Sequence, residues 1–170
     1  MRNQNQGPES SHVKTAEARA TSPALVSSIQ AIARSRLLTV NTQAPMVEVA
    51  ALLSSAQISV VVVCDELGLP LGSITETDLV RRLGLGQANF FTTLAGEVMG
   101  HSFSTCKSSD LLSEVLAKMH LLGLIHVLLV DDSNKLLGVV NARDGLRALL
   151  AEGNHEEALL RNYVMGMGYQ

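Results

Sequence analysis

Two heptapeptides hold the side chains best placed to do chemistry. The first reads Gly72-Ser73-Ile74-Thr75-Glu76-Thr77-Asp78 and the second Gly138-Val139-Val140-Asn141-Ala142-Arg143-Asp144. In each, a glycine precedes a hydroxyl or amide side chain (Thr75, Asn141) by three residues, and a carboxylate (Asp78, Asp144) follows three further on. The apolar residues before the polar one suit a strand running into a helix. Two physical readings fit that junction. In one it is a capping box: Thr75 accepts from the helix's first free N–H groups while Asp78 reaches back and favours the positive helix end. In the other, the polar side chain and the carboxylate hydrogen-bond a ribose diol, and nearby backbone N–H groups receive phosphates. A single copy favours capping, because such boxes start many helices. Two copies, each after a glycine that permits close approach, strengthen the binding reading.

Other chemistry finds little support. His120 and His126 lie on different elements, and neither Cys64 nor Cys106 falls near a histidine in ligand spacing, so no metal site is expected. No Gly-x-Ser-x-Gly motif marks a nucleophile, and Gly84-Leu85-Gly86 is too short for a dinucleotide loop. Only 3% of the 170 residues are aromatic and the net charge is −3, which argues against nucleic acid as a partner. The 46% hydrophobic content excludes a wholly disordered chain and must be aliphatic. Two separated cysteines argue against a secreted disulfide framework, and no apolar run approaches the ~18 residues of a membrane span. A cytoplasmic location is therefore expected. Arg2, Lys14 and Arg19 would suit an organellar presequence, but Glu9 and Glu17 would not.

The elements that must position the two heptapeptides come from an internal duplication. Gly138 follows Gly72 by 66 residues, and sliding the chain by that offset aligns two halves without a gap. Thr39 meets Thr105, Glu48 meets Glu114, Val61 meets Val127, Asp65 meets Asp131, and Arg81 meets Arg147. Each copy reads strand (37–40; 103–106), helix (45–56; 110–122), fully buried strand (60–64; 127–130), turn (66–69; 132–135), strand (70–74; 136–140), then a helix from Glu76 or Ala142. Amphipathic lead-in helices are predicted over 24–35 and 92–99, each assigned to the repeat it precedes. The domain plan is a disordered tail (1–22), a first repeat (23–84), a linker (85–91), a second repeat (92–152) and a C-terminal segment (153–170). That segment holds an expected extra helix, 155–164, with Ala158, Leu159, Tyr163 and Val164 on one side. The Met165-Gly166-Met167-Gly168 stretch reads as a flexible contact surface or a frayed end.

The duplication, the element order and the Gly-x-x-(Thr/Ser)-x-x-Asp segment together resemble the paired cystathionine-β-synthase domains, or Bateman module, over residues 24–152. The resemblance implies an α/β (α+β) fold in which two β-α-β-β-α repeats pack about a pseudo-twofold axis and enclose two clefts. It implies a regulatory, non-catalytic protein that senses an adenosine ligand and shifts conformation against a protein target in trans. It also implies a homodimer. One cleft would join Thr75, Thr77 and Asp78 to Thr105, Asp110, Leu124, Ile125 and His126. The other would join Asn141 and Asp144 to Thr39, Ala44, Ile58, Ser59 and Val60. The implied ligands are AMP, ADP or ATP, with Mg accompanying a polyphosphate, or S-adenosylmethionine or NADH. Two positions depart from the family: Asn141 replaces the usual Thr or Ser, and Asp110 would repel phosphates. They keep open an alternative, a dimerisation or interaction module whose clefts bind nothing.

Overall fold

The computed structural model describes residues 22–56 and 58–166, with side chains over 22–55 and 58–154. The first copy runs through a 3-10 turn (Val26–Ile29), α1 (Gln30–Ser35), β1 (Thr39–Asn41), α2 (Met46–Ala56), β2 (Val60–Cys64), β3 (Pro70–Thr75) and α3 (Glu76–Gly84). The second repeats the order with a 3-10 turn (Phe90–Thr92), α4 (Ala95–Val98), β4 (Thr105–Cys106), α5 (Leu112–Leu121), β5 (His126–Val130), β6 (Leu136–Asn141) and α6 (Ala142–Gly166). Each copy forms its own sheet, β1-β2-β3 or β4-β5-β6, with a parallel first pair and an antiparallel second pair.

The two hairpins match in detail. Both shift register at the same place, between Val63 and Cys64 and between Leu129 and Val130. Asp65 Oδ1 accepts from the N–H groups of Leu67 and Leu69 at 2.9 and 2.8 Å, and Asp131 Oδ1 accepts from Ser133 and Lys135 at 2.9 Å each. Gly68 (φ 80°) and Asn134 (φ 61°) take the left-handed position that each turn requires. Glycine and asparagine are the residue types that tolerate it.

Alternation along the central strands explains their aliphatic monotony. Val61 and Val63 point into the core of their own copy, with Met46, Val49 and Ile74. Val60, Val62 and Cys64 point the other way and meet Leu128, Val130, Leu136 and Val139 across the seam between copies. Val127 and Leu129 fill the core of the second copy. Strands buried on both faces cannot afford polar residues on either, and each such aliphatic contributes roughly 1.5–3 kcal/mol.

The lead-in segments pack on the opposite copy. Val26, Ile29 and Ala33 share a core with Leu112, Met119 and Leu129, while Phe90, Ala95 and Val98 share one with Met46, Val49 and Ile74. Backbone bonds fix both docks. The Val26 N–H donates to the Asp110 carbonyl at 2.9 Å, and the Ala95 N–H to the Ala44 carbonyl at 2.8 Å. This exchange gives Gly72 and Gly138 a different purpose from the one expected. A Cβ on Gly138 would lie 2.7 Å from the carbonyl carbon of Ala33, and one on Gly72 would lie 2.7 Å from the carbonyl oxygen of Gly100. The close approach these glycines permit is that of the lead-in backbone.

Several elements differ from expectation in extent: the strands expected at 37–40 and 103–106 are Thr39–Asn41 and Thr105–Cys106, and the helix expected at 110–122 is Leu112–Leu121. Each lead-in splits into a 3-10 turn and a short helix. The expected helix at 155–164 is the continuation of α6, which runs for 25 residues without a break. Gly153 costs about 1 kcal/mol against alanine in a helix, too little to end one of that length. Residues 1–21, residues 167–170 and the side chains of Ala158, Leu159, Tyr163 and Val164 lie outside the description.

Candidate functional site

The two helix starts are built differently. At α3 the capping box is complete: Thr75 Oγ1 accepts from the Asp78 N–H at 3.2 Å, and Asp78 Oδ2 accepts from the Thr75 N–H at 3.0 Å and from its hydroxyl at 2.7 Å. At α6 Asn141 Oδ1 accepts from the Arg143 N–H at 2.8 Å, but Asp144 does not reach back. Arg36, the residue after α1, holds it instead. The guanidinium Nε and Nη2 each meet one carboxylate oxygen, the Nη2–Oδ1 bond being 3.0 Å. Asp144 is 6% exposed and is the one buried polar or charged side chain among the described residues. A carboxylate so deep needs its counterion.

A second polar link joins the copies at the mouths of β2 and β5. His126 Nε2 lies 3.0 Å from Ser59 Oγ and 3.2 Å from Asn141 Nδ2. The Asn141 amide is oriented by its bond to Arg143, so its nitrogen faces the ring and donates. Nε2 must therefore accept, which makes His126 a neutral imidazole with its proton on Nδ1. Burial, and then the Arg36 charge, push its pKa down, in the direction of the neutral form. The imidazole supplies no positive charge to the cleft. Among the described residues no carboxylate bonds the ring at Nδ1, so Ser59 and His126 lack the third member of a nucleophilic triad.

Two clefts open on either side of this link. One, of about 710 Å³, is lined by Arg36, Ser59, Ile125, Asn141, Arg143 and Arg147, with Ala142, Leu146 and Leu150. The other, of about 370 Å³, is lined by Thr75, Glu76, Thr77, Ser102, Leu124 and His126, with Ser59, Val60, Ile125 and neighbours. The 66-residue offset relates them: Thr75 answers Asn141, Thr77 answers Arg143, and Ser102 answers Arg36. Ser59 and Ile125, themselves equivalent, border both. The clefts are thus two versions of one site related by the internal duplication.

Thr75, Thr77, Leu124, Ile125 and His126 line one and the same cleft. Asp78 instead faces a neighbouring recess with Arg81, Arg82 and Met99. Thr105 and Asp110 lie in a further recess with Cys106, Glu114 and Lys118. Asp110 Oδ2 there accepts from the Lys107 N–H at 2.8 Å. Burial, and then Asp110 against the opposing Lys118, push the pKa of the Cys106 thiol in that recess up to about 12. In the second cleft Asn141 meets Ser59, while Val60 turns to the Thr75 cleft. Thr39 lines a separate depression beside Glu48 and Glu66. Ala44 and Ile58 are buried, Ala44 in the core that α4 covers. Asp144 sits behind Arg36. The exchanged lead-ins account for these placements, since α1 and the segment after α4 occupy ground that a two-copy alignment leaves empty. Arg36, Arg143, Arg147, Glu76 and Ser102 are cleft residues that sequence reasoning missed. For Arg36 (against Ser102), Arg143 (against Thr77) and Glu76 (against Ala142) the signal was available as places where the aligned copies differ in charge, whereas Arg147 aligns with Arg81 and carries no such signal.

Tandem α/β repeats that exchange lead-ins and enclose two related clefts define a paired small-domain module. The chain belongs to the CBS domain family, which it matches at residues 26–85 and 95–151. The uncharacterized protein MK0525 of Methanopyrus kandleri is 29% identical to it over 120 residues, covering 71% of this chain and 61% of that protein. The chain therefore spans somewhat under two thirds of that relative. Among solved structures, the CBS-domain containing protein ATU1752 of Agrobacterium tumefaciens shares the fold with a TM-score of 0.66 at 24% identity, covering 74% of this chain and 98% of its own. The CBS domain pair of protein MJ0100, solved with 5′-methylthioadenosine and S-adenosyl-L-methionine, does so at 0.67 and 23%, covering 77% and 99%. The cytosolic domain of the Mg2+ channel MgtE, solved with ATP, gives 0.56 and 22%, covering 67% and 45%. Among the described residues no helix is long and apolar enough to cross a membrane.

Proposed function

We propose that this chain is a regulatory module that takes an adenosyl ligand in its inter-copy clefts and signals occupancy to a protein target in trans. The observation that carries this reading is the pair of offset-related clefts. Each sets a helix N-terminus and its polar cap, Thr75 at α3 or Asn141 at α6, opposite the start of the other copy's central strand. Their sizes fall in the range of small-molecule sites. Leu124, Ile125 and Val60 offer aliphatic walls for adenine, Thr75 and Thr77 offer hydroxyls for ribose, and the positive dipole end of a helix start suits phosphate. MJ0100 and MgtE, which share the fold, were solved with adenosyl ligands. AMP and ATP are the leading candidates, with Mg accompanying a polyphosphate. The chain itself performs no catalysis on this reading. Because α1 and α4 each bridge the copies, a ligand between the copies biases their relative orientation and so the exposed helices.

A second reading, a dimerisation or interaction module with clefts that bind nothing, has its own support. Asp144 is already occupied by Arg36, and equivalent aliphatics, Val80 on α3 and Leu146 on α6, are exposed as a homodimer contact would need. A thermal-shift screen with AMP, ADP, ATP, S-adenosylmethionine, 5′-methylthioadenosine and NADH separates the two. Ligand at about 100 times its Kd adds roughly 2.7 kcal/mol to stability and a clear rise in Tm. No rise with any of them would leave the interaction module standing.

A further inference from the structure

We infer that the two clefts sort adenosyl ligands by charge: the α6 cleft takes the phosphate-bearing ligand, and the α3 cleft takes one without phosphate. This rests on the reading of both clefts as adenosyl sites and assigns the ligand class of each. The α6 cleft is lined by three guanidiniums, Arg36, Arg143 and Arg147, and, among the described residues, by no carboxylate. Asp144 behind it neutralises Arg36 through the two-point pair. Arg143 and Arg147 stand one turn apart on one face of α6, and among the described residues neither forms a salt bridge. They flank the N-terminus of that helix, whose positive dipole end attracts anions in the same direction. Planar guanidiniums are the side chains best matched to phosphate oxygens.

The α3 cleft is lined by none of these guanidiniums. Thr77 stands for Arg143, Ser102 for Arg36 and Glu76 for Ala142, and Arg81, the counterpart of Arg147, lines a different recess beside Asp78. His126, the one basic side chain in the α3 cleft, accepts from Asn141 and is neutral. Glu76 therefore leaves the α3 cleft with a net negative charge at the position where phosphate would meet the helix start. A nucleoside or a sulfonium cation suits it, and a polyphosphate is repelled.

Isothermal titration of the full chain tests the sorting with three probes: ATP, 5′-methylthioadenosine and inorganic tripolyphosphate. Both arginines are exposed, so the Arg143→Ala/Arg147→Ala variant should fold, and circular dichroism checks that it does. The expected result is that the variant loses roughly tenfold or more in affinity for ATP and for tripolyphosphate, as befits charge-assisted bonds, while 5′-methylthioadenosine is unchanged. ATP affinity should also fall with added salt and that of 5′-methylthioadenosine should not. ATP affinity unaffected by the variant, or ATP and 5′-methylthioadenosine weakened in parallel, overturns the sorting. If neither ATP nor 5′-methylthioadenosine binds but tripolyphosphate does, with arginine dependence, the adenosyl reading fails and the anion assignment of the α6 cleft survives. If tripolyphosphate fails to bind as well, the anion assignment falls too.

Discussion

Replacing Gly138 by alanine is the most direct test of the lead-in exchange. The new Cβ would meet the Ala33 carbonyl carbon at 2.7 Å, its oxygen at 2.8 Å and the Arg34 nitrogen at 2.9 Å. All three are backbone atoms, so no side-chain rotation relieves them. Carbon atoms in ordinary contact lie ~3.5–4.0 Å apart, so α1 must retreat by roughly 1 Å. That retreat loosens Ile29 and Ala33, both almost wholly buried, from the core they share with Leu112 and Met119. Overpacking of this kind costs about 1–3 kcal/mol, and at ~2–4 °C per kcal/mol for a chain of this size Tm should fall by roughly 2–12 °C. Gly153→Ala is the matched control, because that glycine lies in α6 with nothing near its missing Cβ. There the same chemical change should stabilise the helix by up to about 1 kcal/mol. Thermal and urea unfolding of both variants give the comparison. If Gly138→Ala is as stable as Gly153→Ala, α1 does not lie against β6 and the exchange described above is wrong.

Three further outcomes follow from the cleft geometry. Arg36→Ala should strand the Asp144 carboxylate and cost toward the lower end of the ~3–5 kcal/mol seen for buried pairs, because Arg36 keeps 31% exposure. Adding Asp144→Asn should return part of that loss in urea unfolding, and strictly additive losses would show that the two side chains do not interact. His126 has a folded pKa below its ordinary value of about 6.5, so the unfolded chain takes up the proton first as pH falls. Its contribution to stability is complete above about pH 6.5 and is lost as pH drops through that value toward the folded pKa. Arg36, Ser59 and Asn141 are the charged or polar groups that face it. His126→Gln should flatten Tm against pH in that window, and an unchanged slope would place the titration elsewhere. Thr75→Ala should cost about 1 kcal/mol by removing the cap of α3, while Thr75→Ser should cost little, and equal stability of the two would refute the capping box.

What the sequence displays well is whatever is local and occurs twice. The hairpin turns at Asp65 and Asp131, the aliphatic central strands and the polar cap before each third helix are set by residues within a few positions of one another. The 66-residue offset exposes them by comparison of the chain with itself. The register of the lead-ins is invisible by the same logic, since each docks on the other copy through contacts between Val26 and Asp110 or Ala44 and Ala95. The Arg36–Asp144 pair is harder still. Its partners are 108 residues apart, and their counterparts, Ser102 and Asp78, form no such pair. The carboxylates that looked like equivalent ribose acceptors therefore have unlike surroundings, one held in its own cap and one neutralised by an arginine. Asp110 misleads for a related reason: it follows the cleft-facing pattern in sequence but bonds its own loop through the Lys107 N–H.

The crossed lead-ins also make the two repeats mutually dependent. A fragment ending at Gly84 would keep α1 with nowhere to dock and would leave Met46, Val49 and Ile74 without the cover that Phe90, Ala95 and Val98 provide. Two separate single repeats could satisfy each other only by clasping as a pair of molecules. Duplication has turned that clasp into an internal one, and the stretch from Gly84 to Asn89 sets its reach. Shortening this connection should favour handing the lead-in to a second chain, which would convert a self-contained module into an interlocked dimer with the same cores and the same clefts.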